Sequence, residues 1–225
     1  MATSKSQRIG IAIILAVTVI GTLGSFAVMV LAQDNQTKEA AKQQKDLADY
    51  QAKYSEYQKK VEAQDAELSA KYFDKFNPYA SRVGEFNLEE NNKELKSEDL
   101  LVGEGAEIGD DTKFAAYYIG WNPNGKVFDQ SINDGKLKTP LPISDGLKNA
   151  GLIDGWKEGM KGMKIGGVRE LTIPSDKAYG EPGQGADIPP NTPLRFVVMA
   201  IDLPEQIDQP EYPASLMQGG GLYGN

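Results

Sequence analysis

The stretch "GWKEGMKGMKIGGVRELTIPSDKAYGEPGQGADIPPNTPLRFVVMAIDL", Gly155 to Leu203, holds the reading on which the fold turns. "VRELTIP" and "LRFVVMAIDL" are rich in β-branched and aromatic residues, the composition of strands that pack on a pleated surface. Between them Tyr179 opens a long loop of Gly and Pro. Ahead of them "GWKEGMKGM" reads as a short helix, with Met160 and Met163 as core fillers. Upstream, "TKFAAYYIGW" is a further strand, and Asn122-Pro-Asn-Gly125 is a turn into a shorter one, "KVFDQ". Strands outnumber helices, so an antiparallel sheet wrapped on one helix is the economical arrangement, an α+β class over residues 96–203.

Composition narrows the chemistry. The 225 residues contain no histidine and no cysteine, and the formal net charge is −8. Disulfides, zinc–thiolate sites and thiol nucleophiles are excluded, and so are histidine general bases and ligands. The acidic balance argues against nucleic acid, which needs a basic face. There is no G-x-x-x-x-G-K-[ST] loop, and no G-x-G-x-x-G lies between a strand and a helix. "VGEGAEIG" and "EGMKGMKIGG" read as turns, and the pairs Asp110-Asp111 and Glu89-Glu90 as solvated surface. No cofactor or metal is expected.

The remainder of the chain falls into distinct pieces. Residues 1–8 carry Lys5 and Arg8, and Ile9 to Ala32 is uncharged throughout. As a helix this segment would span about 36 Å, enough to cross a bilayer. With the basic end inside, everything downstream lies outside the cytoplasm. The competing reading is a signal peptide cleaved near Val30-Leu31-Ala32, although the apolar run exceeds a signal core of about 7–15 residues. Residues 33–76 are polar helix formers without Pro or Gly. Leu47, Tyr50, Tyr54, Tyr57, Val61 and Leu68 recur at heptad-like steps interrupted at Gln43, Gln64 and Lys71. Two readings stand: a coiled-coil stalk that forms a homodimer, or a single amphipathic helix that packs on something or acts as a spacer. Asn77-Pro78 ends the helix. A linker follows over 77–95, and the Pro-, Gly- and Gln-rich residues 204–225 are expected to be disordered.

Tyr118, Phe128, Ile153, Trp156, Tyr179, Ile188 and Phe196 all flank turns or strand ends. Such residues ordinarily form core. Two features set them apart. Glycines around Trp156 are expected to bring backbone close to its ring, and Tyr179 stands at the start of an irregular loop, where side chains more often serve a site.

Together the motifs "YYIGW", "GKVFDQS", "GLIDGWKEGMKGMKIGG" and "SDKAYGEPGQGADIPPNTPLRFVVMAIDL" resemble the FKBP-type peptidyl-prolyl cis–trans isomerases, from about Glu98 to Leu203. The resemblance implies a five- to six-stranded antiparallel sheet curled around a short helix. It also implies a pocket. Tyr118 would line one wall and hydrogen-bond Asp129, and Phe128 would add a ring. Leu152 and Ile153 would precede the helix, with the Ile153 amide donating to a ligand carbonyl. Trp156 would be the floor under a proline ring, Tyr179 would offer its hydroxyl from the loop, and Ile188 and Phe196 would complete the apolar wall. Leu141 stands where an aromatic is frequent in the family, and Gln184 and Asp187 depart from the usual loop, implying a more open, more polar rim.

The implied activity is acceleration of X–Pro bond rotation in exported or cell-surface proteins, with proline-containing segments as partners and macrolides as inhibitors. The alternatives are a binding or chaperone module that holds proline segments with little turnover, and a stalked interaction protein with a vestigial domain.

Overall fold

The computed structural model describes residues 34–217. A helix, α1 (Asp34–Phe76), is followed by a six-residue 3-10 helix (Asn77–Arg82) and a short helix α2 (Leu88–Asn91). Then come β1 (Lys96–Leu101), β2 (Phe114–Trp121), β3 (Val127–Gln130), β4 (Ile132–Asn133), β5 (Lys136–Leu137) and β6 (Leu141–Ile143). Helix α3 (Asp154–Gly159), β7 (Val168–Ile173), β8 (Leu194–Ile201) and a helical turn α4 (Ala214–Met217) complete the order. No helix among the described residues is long and apolar enough to cross a membrane, and the proposed span 9–32 lies outside them.

Residues Lys60–Ile207 form one compact unit. Its main sheet is antiparallel, ordered β1-β7-β8-β2-β3, with β6 pairing the start of β2 through Phe114↔Ile143 and Ala116↔Leu141. β4 and β5 form a separate two-stranded hairpin whose turn places Asp134 and Gly135 at φ 48° and 71°. A turn of that hand matches the right-handed twist of paired strands.

The central strands are buried on both faces, and alternation sorts their side chains into two cores. Phe114, Ala116, Phe196, Val198, Leu171 and Ile173 face one way, against Trp156, Met160 and Met163 of the α3 region. Ala115, Tyr117, Ile119, Trp121, Val197, Met199 and Ile201 face the other way, against Tyr72 and Phe76 at the end of α1. Phe76 is 0% exposed. The last turns of α1 are therefore part of the domain's second core rather than a spacer. Burying a ring of that size contributes roughly 1.5–3 kcal/mol.

Residues 77–95, expected to be a linker, are also packed on the sheet. Arg82 Nε donates to Glu170 Oε2 at 2.6 Å, Trp121 Nε1 donates to the Gly84 carbonyl at 3.0 Å, and Arg195 lies 4.8 Å over the Phe86 ring. Glu170 is buried, and a buried carboxylate needs such partners. Pro78 sits in the first turn of the 3-10 segment, so α1 stops at Phe76.

The described parts of Met1–Lys59 and Asp208–Asn225 form the other compact unit. Tyr212 meets Tyr50 edge-on at 5.1 Å, and Ser215 Oγ donates to Asp46 Oδ2 at 2.6 Å. The described portion of the tail, expected to be disordered, makes these contacts with α1. Tyr50 and Tyr54 stack at 5.8 Å, and Tyr54 and Tyr57 tilt together at 5.8 Å, so the tyrosine stripe lies along one helical face.

Because Phe76 fills the second core, Phe76→Ala should cost about 3–5 kcal/mol, as large-to-small changes at buried aromatics do. Urea unfolding followed by tryptophan fluorescence measures it; a loss under 1 kcal/mol would mean that the helix end is only a spacer.

Candidate functional site

The site-forming residues come from five separate places in the chain and meet at one edge of the first core. β8 carries Phe196, α3 carries Trp156, β2 carries Tyr118, β3 carries Phe128 and Asp129, and the loop after β7 carries Tyr179 and Ile188. Trp156, Phe196 and Ile188 are 3%, 4% and 3% exposed, so they form the base. Tyr118, Phe128, Leu141, Leu152, Ile153 and Tyr179 are half-buried against the same cluster, and form a surrounding tier that solvent reaches.

The rings are arranged edge to face. Trp156 meets Phe196 at 5.4 Å and 88°, and Tyr118 at 5.3 Å and 84°. Phe128 meets Phe196 at 5.5 Å and 83°. Such pairs hold rings in place beyond what area burial alone contributes.

Two local backbone features make this possible. The β2–β3 ladder skips a residue: Gly120 pairs Asp129 and Trp121 pairs Val127, which leaves Phe128 at a bulge. A bulge re-aims the side chain it carries. Gly120 then provides the space, because a Cβ there would lie 2.5 Å from Phe196 Cε1 and 2.8 Å from Phe128 Cζ.

The glycines flanking Trp156 act differently from the expectation that they approach its ring. A Cβ on Gly155 would lie 2.2 Å from Ile173 Cγ2, and one on Gly159 would lie 2.8 Å from Leu171 Cδ2. They let α3 seat on β7, and the indole is positioned as a consequence.

The polar groups are few. Tyr118 Oη donates to Asp129 Oδ2 at 2.5 Å, and Gln130 N donates to Asp129 Oδ1 at 2.8 Å. Hydrogen bonds to an ionised carboxylate are short and strong. Burial, the bond to Asp129 and the Asp129 charge all push the Tyr118 phenol well above its ordinary range. Burial first, and then Asp129, push the Tyr179 phenol up as well. Both hydroxyls therefore stay neutral through physiological pH. Among the described residues neither the Tyr179 hydroxyl nor the Ile153 amide has a hydrogen-bond partner, so both remain free to donate.

The loop carrying Tyr179 is held on both sides. Lys177 Nζ bridges Glu158 of α3 at 2.7 and 2.5 Å. At the far end Asn122 Nδ2 donates to the Asp187 carbonyl at 2.9 Å, and Lys126 pairs with the Asp187 carboxylate. Asp187 thus makes the rim polar, but with its charge matched. Gln184 N closes the loop on the Ile188 carbonyl at 2.8 Å. Gly183 has φ 65°, and a Cβ there would lie 2.3 Å from that same carbonyl oxygen, which leaves glycine as the one residue that fits.

Sequence reading missed several of these contributors. Gly120 was legible in principle, since an isolated glycine inside a strand signals close approach. The partnerships of Lys126 and Lys177 had no local signal.

Comparison with known proteins locates the same region. The family model for FKBP-type peptidyl-prolyl cis-trans isomerase matches residues 104–201. An FK506-binding protein of Neisseria meningitidis serogroup B is 42% identical over 108 residues, 48% of this chain and 94% of that protein. FK506-binding protein 4 of Dictyostelium discoideum is 44% identical over 107 residues, 48% of this chain but 28% of that longer protein. A probable FKBP-type peptidyl-prolyl cis-trans isomerase of Haemophilus influenzae is 32% identical over 160 residues, 71% of this chain and 63% of that protein.

The ring cluster predicts its own sensitivity. Gly120→Ala should force Phe196 and Phe128 apart and cost about 1–3 kcal/mol, the usual scale of overpacking. A changed near-ultraviolet circular dichroism spectrum should accompany the lower melting temperature; an unchanged spectrum would contradict the close approach.

Proposed function

We propose that this chain, which belongs to the FKBP-type peptidyl-prolyl cis-trans isomerase family, rotates X–Pro bonds in proline segments bound over Trp156. The observation that carries the reading is the convergence of Tyr118, Phe128, Trp156, Ile188 and Phe196 from separate elements onto one edge of the core.

The chemistry suits a chain without histidine or cysteine. X–Pro rotation breaks no covalent bond. Its barrier, about 18–20 kcal/mol, is the amide resonance lost in the twisted form. Resonance places negative charge on oxygen, and water favours that separation. An apolar aromatic surround withdraws this solvation and fits the less polar, twisted amide, which is preferential binding of the transition state. Trp156 supports the proline ring and Phe128, Phe196 and Ile188 exclude water. The free Tyr179 hydroxyl and Ile153 amide orient flanking carbonyls. Tyr118 holds Asp129 at the wall, and Leu141 and Leu152 border the segment.

The working environment follows from the N-terminal sequence. Residues 9–32 anchor the chain in a membrane with Lys5 and Arg8 inside, and the isomerase domain serves exported proteins outside the cytoplasm. Uncatalysed isomerisation takes tens of seconds, slow enough to limit folding of such chains. The tyrosine stripe of α1 is a homodimer surface in this reading, although Tyr212 already occupies part of it at Tyr50. Sedimentation of residues 33–225 tests the dimer. FK506, the ligand in the names of the Neisseria and Dictyostelium relatives, is a suitable competitor for the slot.

A protease-coupled proline-peptide assay tests the central reading. Wild type should accelerate the reaction. Asp129→Asn and Trp156→Leu should each lower kcat/KM by about tenfold, a difference of about 1.4 kcal/mol. Binding without acceleration would leave a proline-segment-binding module instead. The rate should be flat between about pH 6 and 8, since both phenols titrate above their ordinary value and the chain has no histidine. A bell-shaped profile in that range would contradict the mechanism.

A further inference from the structure

We infer that Ser69, on the last turns of α1, is a positioning residue for the isomerase site, with Asp65 as its secondary tie. The inference rests on the reading of Tyr118 and Asp129 as one wall of that site.

Segment 131–140 is an excursion between two wall residues, Asp129 and Leu141. Most of it is the β4–β5 hairpin, with two residues in each strand. A ribbon that short does not hold its own conformation in water. Its position must come from what it touches.

At one end it is bound to the site. Tyr118 N donates to Ser131 Oγ at 2.9 Å, and Ser131 N donates to the Tyr118 carbonyl at 2.7 Å. Ser131 is 4% exposed, and Lys138 N in turn donates to the Ser131 carbonyl at 2.8 Å. At the other end it is bound to α1. Leu137 N donates to Ser69 Oγ at 2.9 Å in a buried contact, and Thr139 Oγ1 donates to Asp65 Oδ2 at 2.5 Å. Leu137 is buried in the same core as Tyr72 and Phe76, a core against which Leu68 also packs.

A continuous series of bonds therefore runs from Ser69 through Leu137 and the hairpin to Ser131, Tyr118 and Asp129. Ser69 is the buried end of that series, and its loss would leave a buried amide unpaired. The hairpin would then shift, and Ser131 would carry the shift to the Tyr118 backbone and the Asp129 wall. Leu141 would follow, because Lys138, Thr139 and Pro140 alone separate β5 from its ladder with Ala116.

The test is a double-mutant cycle on the full chain in detergent, using the proline-peptide assay well below the melting temperature. Ser69→Ala should lower kcat/KM about three- to tenfold, mainly through kcat, the scale of one positioning hydrogen bond. Ser69→Thr, which keeps the hydroxyl, should restore most of the rate. In an Asp129→Asn background Ser69→Ala should add little, because both act through one wall. Thr139→Val, at an exposed position, removes the Asp65 tie without opening a core and should show a smaller effect with the same dependence on Asp129. Wild-type rates for Ser69→Ala and Thr139→Val, or losses that simply multiply with that of Asp129→Asn, overturn the inference. If Asp129→Asn alone leaves the rate unchanged, the wall reading itself falls and takes this one with it. An effect of Asp129→Asn with none of Ser69→Ala removes only the role of Ser69.

Discussion

The domain depends on a sheet whose two middle strands are apolar on both faces. In β2, Phe114, Ala116 and Gly120 look one way and Ala115, Tyr117, Ile119 and Trp121 look the other. In β8, Phe196 and Val198 oppose Val197 and Met199 in the same manner. Such strands are stable only when both faces are covered. Helix α3 and the long loop cover one face. The end of α1 and residues 77–95 cover the other. Removing water from both faces is the main stabilising term, and every other feature is fitted to that double cover.

One consequence is that the candidate site is the unfinished margin of a core rather than a separate construction. Trp156 and Phe196 are packed nearly as tightly as Met160 or Leu171, and the rings beside them are only half covered. A margin of this kind is apolar and short of charged groups. Its polar atoms are fixed locally. Asp129 accepts from Tyr118 and from a backbone amide, and Asp187 is matched by Lys126. Among the described residues the Tyr179 hydroxyl and the Ile153 amide stay without a hydrogen-bond partner at this margin.

A second consequence concerns the polar atoms in the other core. Tyr117 is fully buried, and neither its hydroxyl nor Asp65 Oδ1 has a hydrogen-bond partner among the described residues. The two interact electrostatically: the Asp65 charge, after burial, pushes the Tyr117 phenol up, and burial also pushes the Asp65 carboxyl up. A raised carboxyl binds its proton more tightly when folded, so this group favours the folded state more at low pH, and that contribution is lost as pH rises through its folded value. The cover supplied by α1 therefore carries polar constraints as well as apolar ones.

Much of the isomerase domain was legible in the chain itself. The strands "FAAYYIGW", "VFDQ", "VRELTI" and "LRFVVMAI" and the helix at Trp156 follow from apolar runs, turn residues and glycine placement, all of which are local. The ten candidate residues were likewise named from motifs, and nine of them meet in one cluster, with Asp129 joined through Tyr118. Tertiary structure alone decided what lies behind the sheet. Phe76, Ser69 and Arg82 are ordinary residues of a polar helix and its exit, and nothing in their spacing says that they close a core or hold a hairpin. The near-continuous apolar run of β2 is compatible with the burial on both faces that the structure shows, but does not say what covers them. A strand specifies that it must be buried; which distant segment buries it depends on three-dimensional fit, and one-dimensional patterns carry no record of that.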